Sequence, residues 1–173
     1  MRPARIASSA AFLFFIFVVQ EAAISRINFP IAGYSLYIAV LMGLLAMEDR
    51  SAAVMIGFFG GVILDLSPSI DAPFGQWAFV MTIMGYIFAA NRESIGDFST
   101  RPAALVLFVS LGATVSLLIF LSIGALLGES DGNFQRILTT SLGNGLWTLL
   151  FSPIILPLLS RFRHLSLTSR ERK

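Results

Sequence analysis

Long apolar blocks broken by short charged punctuation decide the class of this chain before any single residue does. The blocks run over about 6–27, 29–47, 51–66, 74–90, 103–127 and 134–159, with "EDR" (Glu48, Asp49, Arg50) marking one of the breaks. The hydrocarbon core of a bilayer takes about 20 residues of helix, within a range of roughly 17–25. The blocks therefore predict an all-α polytopic membrane protein, a bundle of six transmembrane helices forming one domain over 1–173. Residues 160–173 are read as a basic tail. Only 13% of the residues are charged, about half of the roughly 25% usual in a soluble domain. Sixteen phenylalanines suit surface that faces lipid.

The second, third and fourth blocks are short for a crossing, and the third also fits a re-entrant hairpin. Charge placement decides between the two readings. With six crossings and the N-terminus inside, Arg2, Arg5, Arg50, Arg92, Arg101, Arg161, Arg163, Arg170, Arg172 and Lys173 share one side, and only Arg26 and Arg136 fall on the other. If the third block fails to cross, the tail "RFRHLSLTSRERK" lands outside, against the positive-inside rule. Six spans with both termini cytoplasmic follow. The N-terminus also has the outline of a signal peptide. "QEAAIS" offers only Ala23 and Ser25 as small residues before a cleavage point, so an uncleaved first helix is the reading adopted.

The basic balance, 12 Lys and Arg against 10 Asp and Glu, does not point to nucleic acid. Its cations sit at block ends, where topology signals belong, and not along one face. With no cysteine, disulfides, thiolate metal sites and cysteine nucleophiles are excluded. Ser99 or Thr100 is a candidate cap for the fifth helix, with Pro102 in its first turn, where a missing N–H costs nothing. Pro153 and Pro157 predict a kink in the sixth.

The densest motif is "GFFGGVILDLSPSIDAPFG", Gly57 to Gly75. Gly57, Gly61 and Asp65 recur every four residues, so on a helix they share one face, and Gly60 widens the bare strip. Small residues at this spacing let a second helix backbone come close. Two readings follow: internal packing within the bundle, or a seat for the transmembrane helix of a partner. Asp65 stands at a helix end, where a carboxylate in a membrane needs water or donors. It can accept from the turn-forming "SPSID" and "APFG" that follow, or contact a partner or ligand on the outer face. An enzyme built on Asp65 and Asp71 lacks a nearby base, nucleophile or metal ligand and is set aside.

A second polar stripe, Ser141, Asn144 or Gly145, Thr148 and Ser152, follows helical spacing in the sixth block. A buried amide such as Asn144 needs a hydrogen-bond partner across helices. Asn144 and Thr148 are thus expected to bind helices together, with a small-ligand contact as the alternative. Gln20 and Glu21 lie toward the end of the first block and are expected to pair with Arg26 or with a donor on a neighbouring helix. His164, the single histidine, is read as solvated among the arginines of the tail.

Gln20 near the end of the first helix, Pro30 opening the second, and the G-x-x-x-G-x-x-x-D block with Pro73 and Gly75 downstream resemble the bacterial rod shape-determining protein MreD family. The resemblance covers the whole chain in outline; its specific part is that block, and the first half matches better than the second. It implies a non-enzymatic membrane scaffold of the cell-wall elongation machinery, without cofactor or metal. Its implied partner is the single-span protein MreC, and through it MreB, RodA and a class B penicillin-binding transpeptidase, all in or at the lipid bilayer. Gly57, Gly61, Asp65, Pro73 and Gly75 are then the candidate partner-binding residues. The family's fold is similar to the six-helix substrate-binding component of energy-coupling-factor vitamin transporters, which makes such a component the alternative function. The short outer loops, few polar side chains and bulky first helix, "AFLFFIFVV", fit the scaffold better.

Overall fold

The computed structural model describes residues 3–27, 29, 33–67, 72–92, 101–128 and 133–166. Among them every regular element is helical: α1 (Pro3–Ala22), a 3-10 turn (Ile24–Arg26), α2 (Leu36–Met47), α3 (Arg50–Asp65), α4 (Gln76–Ala90), α5 (Pro102–Leu126) and α6 (Phe134–Ser166). Three stretches, Ser8–Arg26, Pro102–Leu126 and Phe134–Arg161, are long and apolar enough to cross a membrane. Leu36–Met47 and Gln76–Ala90 are apolar but shorter.

Contacts along the helices fix their directions. Gly57 of α3 lies at Met81 of α4, Gly61 at Ala78, and Gly85 of α4 at Ala53, so α3 and α4 run antiparallel. Gln76 reaches Phe120 while Gly112 lies at Phe88, so α4 and α5 do the same. Thr114 meets Gly145, and Val106 and Leu107 share a groove with Leu149 and Pro153, which sets α5 against α6. Leu13 lies at Gly60 and Glu21 at Ser67, so α1 and α3 run in parallel. Ser35 lies at Asn144, and Gly43 at Leu156 and Leu159, so α2 and α6 also run in parallel. α3 is one continuous helix, Arg50–Asp65, and does not turn back on itself.

α2 is the axis of the bundle. Every residue from Tyr37 to Met47 is buried, as an unbroken apolar run with no polar face requires. Phe17 of α1 meets the Tyr37 ring edge-on at 6.0 Å, and the Tyr37 hydroxyl donates to the Gly60 carbonyl at 2.8 Å. Gly112 of α5 lies beside Met42, and Leu156 and Leu159 of α6 close over Gly43. In lipid such burial yields little hydrophobic free energy, because acyl chains are as apolar as leucine; close packing and interhelical hydrogen bonds hold the helices instead. The outward sides are correspondingly apolar, as Phe14, Phe15, Phe58, Phe59, Leu107, Leu111, Leu146 and Leu150 show.

Several boundaries depart from the sequence reading. α2 starts at Leu36 and not near Phe29, because Ser35 caps it: its hydroxyl accepts from the Ile38 N–H at 3.2 Å. α5 has Arg101 at its cap position with no side-chain cap bond, and Pro102 sits in its first turn. Ser99 and Thr100 lie outside the described residues, as do Pro30 and Asp71. α6 contains both Pro153 and Pro157 and continues to Ser166, so the first part of the expected tail is helix. The side chain of His164 lies outside the described part. At the end of the bundle that holds the α2–α3 connection, Arg92 pairs with Asp49 and the Arg50 guanidinium lies 5.0 Å over the Tyr86 ring. Both contacts tie the start of α3 to the end of α4.

Candidate functional site

Of the residues singled out in the sequence, Gln20, Asp65, Gly75 and Asn144 gather at the opposite end, where α1 and α3 finish and α2 and α4 begin. A helix start leaves four backbone N–H groups without intrahelical acceptors. In water they would be solvated, but in a membrane each unpaired group costs several kcal/mol, on the order of a lost hydrogen bond or more. The candidate side chains answer that demand almost group by group.

For α4 the acceptor is Asp65. Its Oδ1 takes the Trp77 N–H at 2.9 Å and its Oδ2 the Ala78 N–H at 3.0 Å. The Pro73 carbonyl takes the Gln76 N–H at 3.2 Å, and the helix's own first bond runs from Phe79 N–H to the Gly75 carbonyl at 2.9 Å. Gly75 is the cap residue, with φ of 99°, a left-handed conformation that glycine adopts without the penalty of a Cβ. The carboxylate therefore works as a capping group lent by a neighbouring helix, and its charge sits where the helix dipole favours an anion. An acceptor role was expected of Asp65. Its donors, however, are the first turn of α4 and not the loop between the helices.

For α2 the acceptors come from three places. Gln20 of α1 takes the Leu36 N–H at 2.8 Å and the Tyr37 N–H at 3.4 Å on its Oε1. Asn144 of α6 takes the Ser35 N–H at 2.8 Å on its Oδ1. Ser35 itself serves Ile38. Glu21 accepts from the Ser67 hydroxyl at 2.9 Å, which joins the ends of α1 and α3. Arg26, its expected partner, is not involved. Asn144 thus links helix to helix start, whereas Thr148 does not perform the binding role expected of it. It is fully buried, but its hydroxyl, with those of Ser141 and Ser152, has no hydrogen-bond partner among the described residues.

The glycine strip is filled by the chain's own α4. A Cβ on Gly61 would lie 2.5 Å from the Trp77 carbonyl oxygen and 2.7 Å from the Ala78 nitrogen, and one on Gly57 would strike the Met81 carbonyl. Those are backbone atoms, which cannot swing aside. Of the two readings of this face, internal packing is the one the geometry matches. The reading of Gly57 and Gly61 as a partner's seat is corrected accordingly, since α4 already occupies the space. Gly60 faces the other way, toward Leu41 and Leu13.

The sequence reading missed two parts of this joint. Gly85 presses α4 onto Ala53, where a Cβ would fall 2.6 Å from the Ala53 carbonyl oxygen. Ala53 stands four residues before Gly57, so extending the small-residue register by one step would have found it. Gln76 donates to the Phe120 carbonyl at 2.7 Å, beside a stacked Trp77–Phe120 ring pair 4.0 Å apart. These contacts carry the α3–α4 pair onto α5.

No protein-family model, no curated protein and no solved structure matches this chain. Among the described residues no cluster of His, Cys, Asp and Glu is arranged to hold a metal ion.

Proposed function

We propose that this chain is a multi-pass membrane scaffold of the MreD type, acting in the cell-wall elongation machinery of a bacterial inner membrane. It would pass the membrane six times with both termini cytoplasmic, in a bundle similar to the substrate-binding component of energy-coupling-factor transporters. The alternating helix directions support six passes, and α3 lying parallel to α1 supports counting it as a full crossing. The observation that carries the functional reading is how the polar residues are used. Gln20, Asp65 and the Oδ1 of Asn144 serve the helix starts, and the outward surface left to partners is mainly apolar. A non-enzymatic holding role needs no more than that.

With the glycine strip filled, a partner helix of the MreC type has to meet another surface. We assign it to the groove between α5 and α6, about 450 Å³, lined by Pro102, Ala103, Val106, Leu107, Leu149 and Pro153. Pro153 has no N–H to give the Leu149 carbonyl four residues back. A hydroxyl or other donor on an incoming helix would supply it, and the apolar lining leaves the fit to side-chain packing. MreB, RodA and a class B penicillin-binding transpeptidase would be reached through that partner.

The test is a pull-down of the full chain in mild detergent with protein identification, combined with crosslinking from single cysteines at positions 107 and 149. The proposal predicts recovery of a single-span protein, crosslinked from these positions but not from a cysteine at the exposed position 58. Recovery of a bound vitamin-like molecule together with an ATPase module would replace it with the transporter reading.

A further inference from the structure

A cavity of about 350 Å³ opens between the 3-10 turn, the approach to α2, and α6. It is lined by Ile24, Ile27, Phe29, Tyr34, Leu36, Phe151, Ile154 and Ile155. The size is that of a ligand site, and every one of these side chains is aliphatic or aromatic. Three of its lining side chains, Phe29, Tyr34 and Phe151, belong to one cluster of rings. Phe29 packs edge-on against both Tyr34, at 5.6 Å, and Trp147, at 5.2 Å. Phe151 meets Tyr34 at 5.1 Å and stacks on Trp147 at 5.9 Å. An apolar cavity of this kind excludes water and takes up hydrocarbon.

A charged residue stands among the lining residues in the chain. Arg26 lies between Ile24 and Ile27 in the sequence, and both line the cavity. It is exposed, and its guanidinium makes no hydrogen bond or ion pair among the described residues. The nearest acid along the chain, Glu21, takes the hydroxyl of Ser67 instead. In the six-span topology proposed above, on which this point rests, Arg26 is one of two cations on this side of the membrane, so enforcing orientation does not explain it; a cation here works against the positive-inside bias.

The geometry points to a site for an anionic phospholipid, with one acyl chain in the cavity and the phosphate on Arg26. The chain supplies the apolar fill that the lining calls for. The guanidinium supplies a fork of donors matched to phosphate oxygens. A basic residue near an anionic lipid surface is worth about fivefold in affinity, so headgroup charge sets a preference while the cavity sets retention.

The test uses the full chain, stripped of lipid in detergent and titrated with phosphatidylglycerol or phosphatidylcholine of identical chains, with bound lipid counted by native mass spectrometry. The wild-type protein is expected to retain one phosphatidylglycerol about fivefold more tightly than phosphatidylcholine. Arg26→Gln is expected to bring the two lipids level, and Arg136→Gln, the other cation on that side, to leave the preference intact. Ile154→Trp, at an exposed position of the lining where folding tolerates bulk, is expected to lower retention of both lipids. Failure to retain either lipid, equal retention by the wild-type chain, or a preference that survives Arg26→Gln would each overturn the proposal.

Discussion

Gly61→Leu is expected to separate α3 from α4 and to cost the bundle its stable folded state. The new side chain would begin 2.5 Å from the Trp77 carbonyl oxygen and 2.7 Å from the Ala78 nitrogen. Overpacking of a core by flexible side chains costs about 1–3 kcal/mol. Here the obstacle is the main chain of a neighbouring helix, so the loss should be about 3 kcal/mol or more, on the order of 10 °C in midpoint for a chain of this size. Even Gly61→Ala places its Cβ in that clash. Gly33→Ala is the control, because nothing lies within 4 Å of the added atom. Thermal unfolding of the three variants in one detergent checks the ordering, with Gly33→Ala near wild type, Gly61→Ala well below it, and Gly61→Leu lowest or not recoverable as folded protein.

Asp65→Ala is expected to be the most destabilising polar substitution in the chain. It leaves the Trp77 and Ala78 N–H groups unsatisfied at a buried helix start, at about 1–3 kcal/mol each. It also removes an anion from the favourable end of the α4 dipole. Asp65→Asn keeps one carbonyl acceptor and should lose about half as much. Trp77 is a built-in reporter, since its ring stacks on Phe120 at 4.0 Å, and its fluorescence should follow the loosening of this corner. The alternative assignment of Asp65, as a direct partner contact, predicts the reverse pattern. Partner recovery would fall while the unfolding midpoint and the tryptophan signal stayed at their wild-type values.

How much of this was readable in advance differs from element to element, for physical reasons. The ends of α3 were legible to within a residue, because charges at Glu48–Arg50 and a proline just after Asp65 interrupt an apolar run. The start of α2 was not. In a membrane protein both a helix and the chain leading into it are apolar, so hydropathy does not mark where the first hydrogen bond closes, and Ser35 acts as a cap only because acceptors arrive for the N–H groups around it. The need of Asp65 and Asn144 for donors was also legible, since a polar group in lipid has to be paired. Which donors they meet was not, because Asn144 and Ser35 are 109 residues apart and the pairing exists only once α6 lies beside α2. The glycine strip is ambiguous for a related reason. Small residues every fourth position announce that a backbone will come close and say nothing about whose it is.

Gln20, Ser35, Asp65 and Asn144 are clasps for helix starts. Residue-resolved amide hydrogen exchange on the full chain in lipid nanodiscs tests this role most directly. The N–H groups of Leu36, Tyr37, Trp77 and Ala78 lie in first turns, which ordinarily exchange fast. The account predicts that all four are protected, that Asp65→Ala releases Trp77 and Ala78 alone, and that Gln20→Ala releases Leu36 and Tyr37 alone. If Trp77 and Ala78 exchange at the same rate with and without the Asp65 carboxylate, the clasp does not exist.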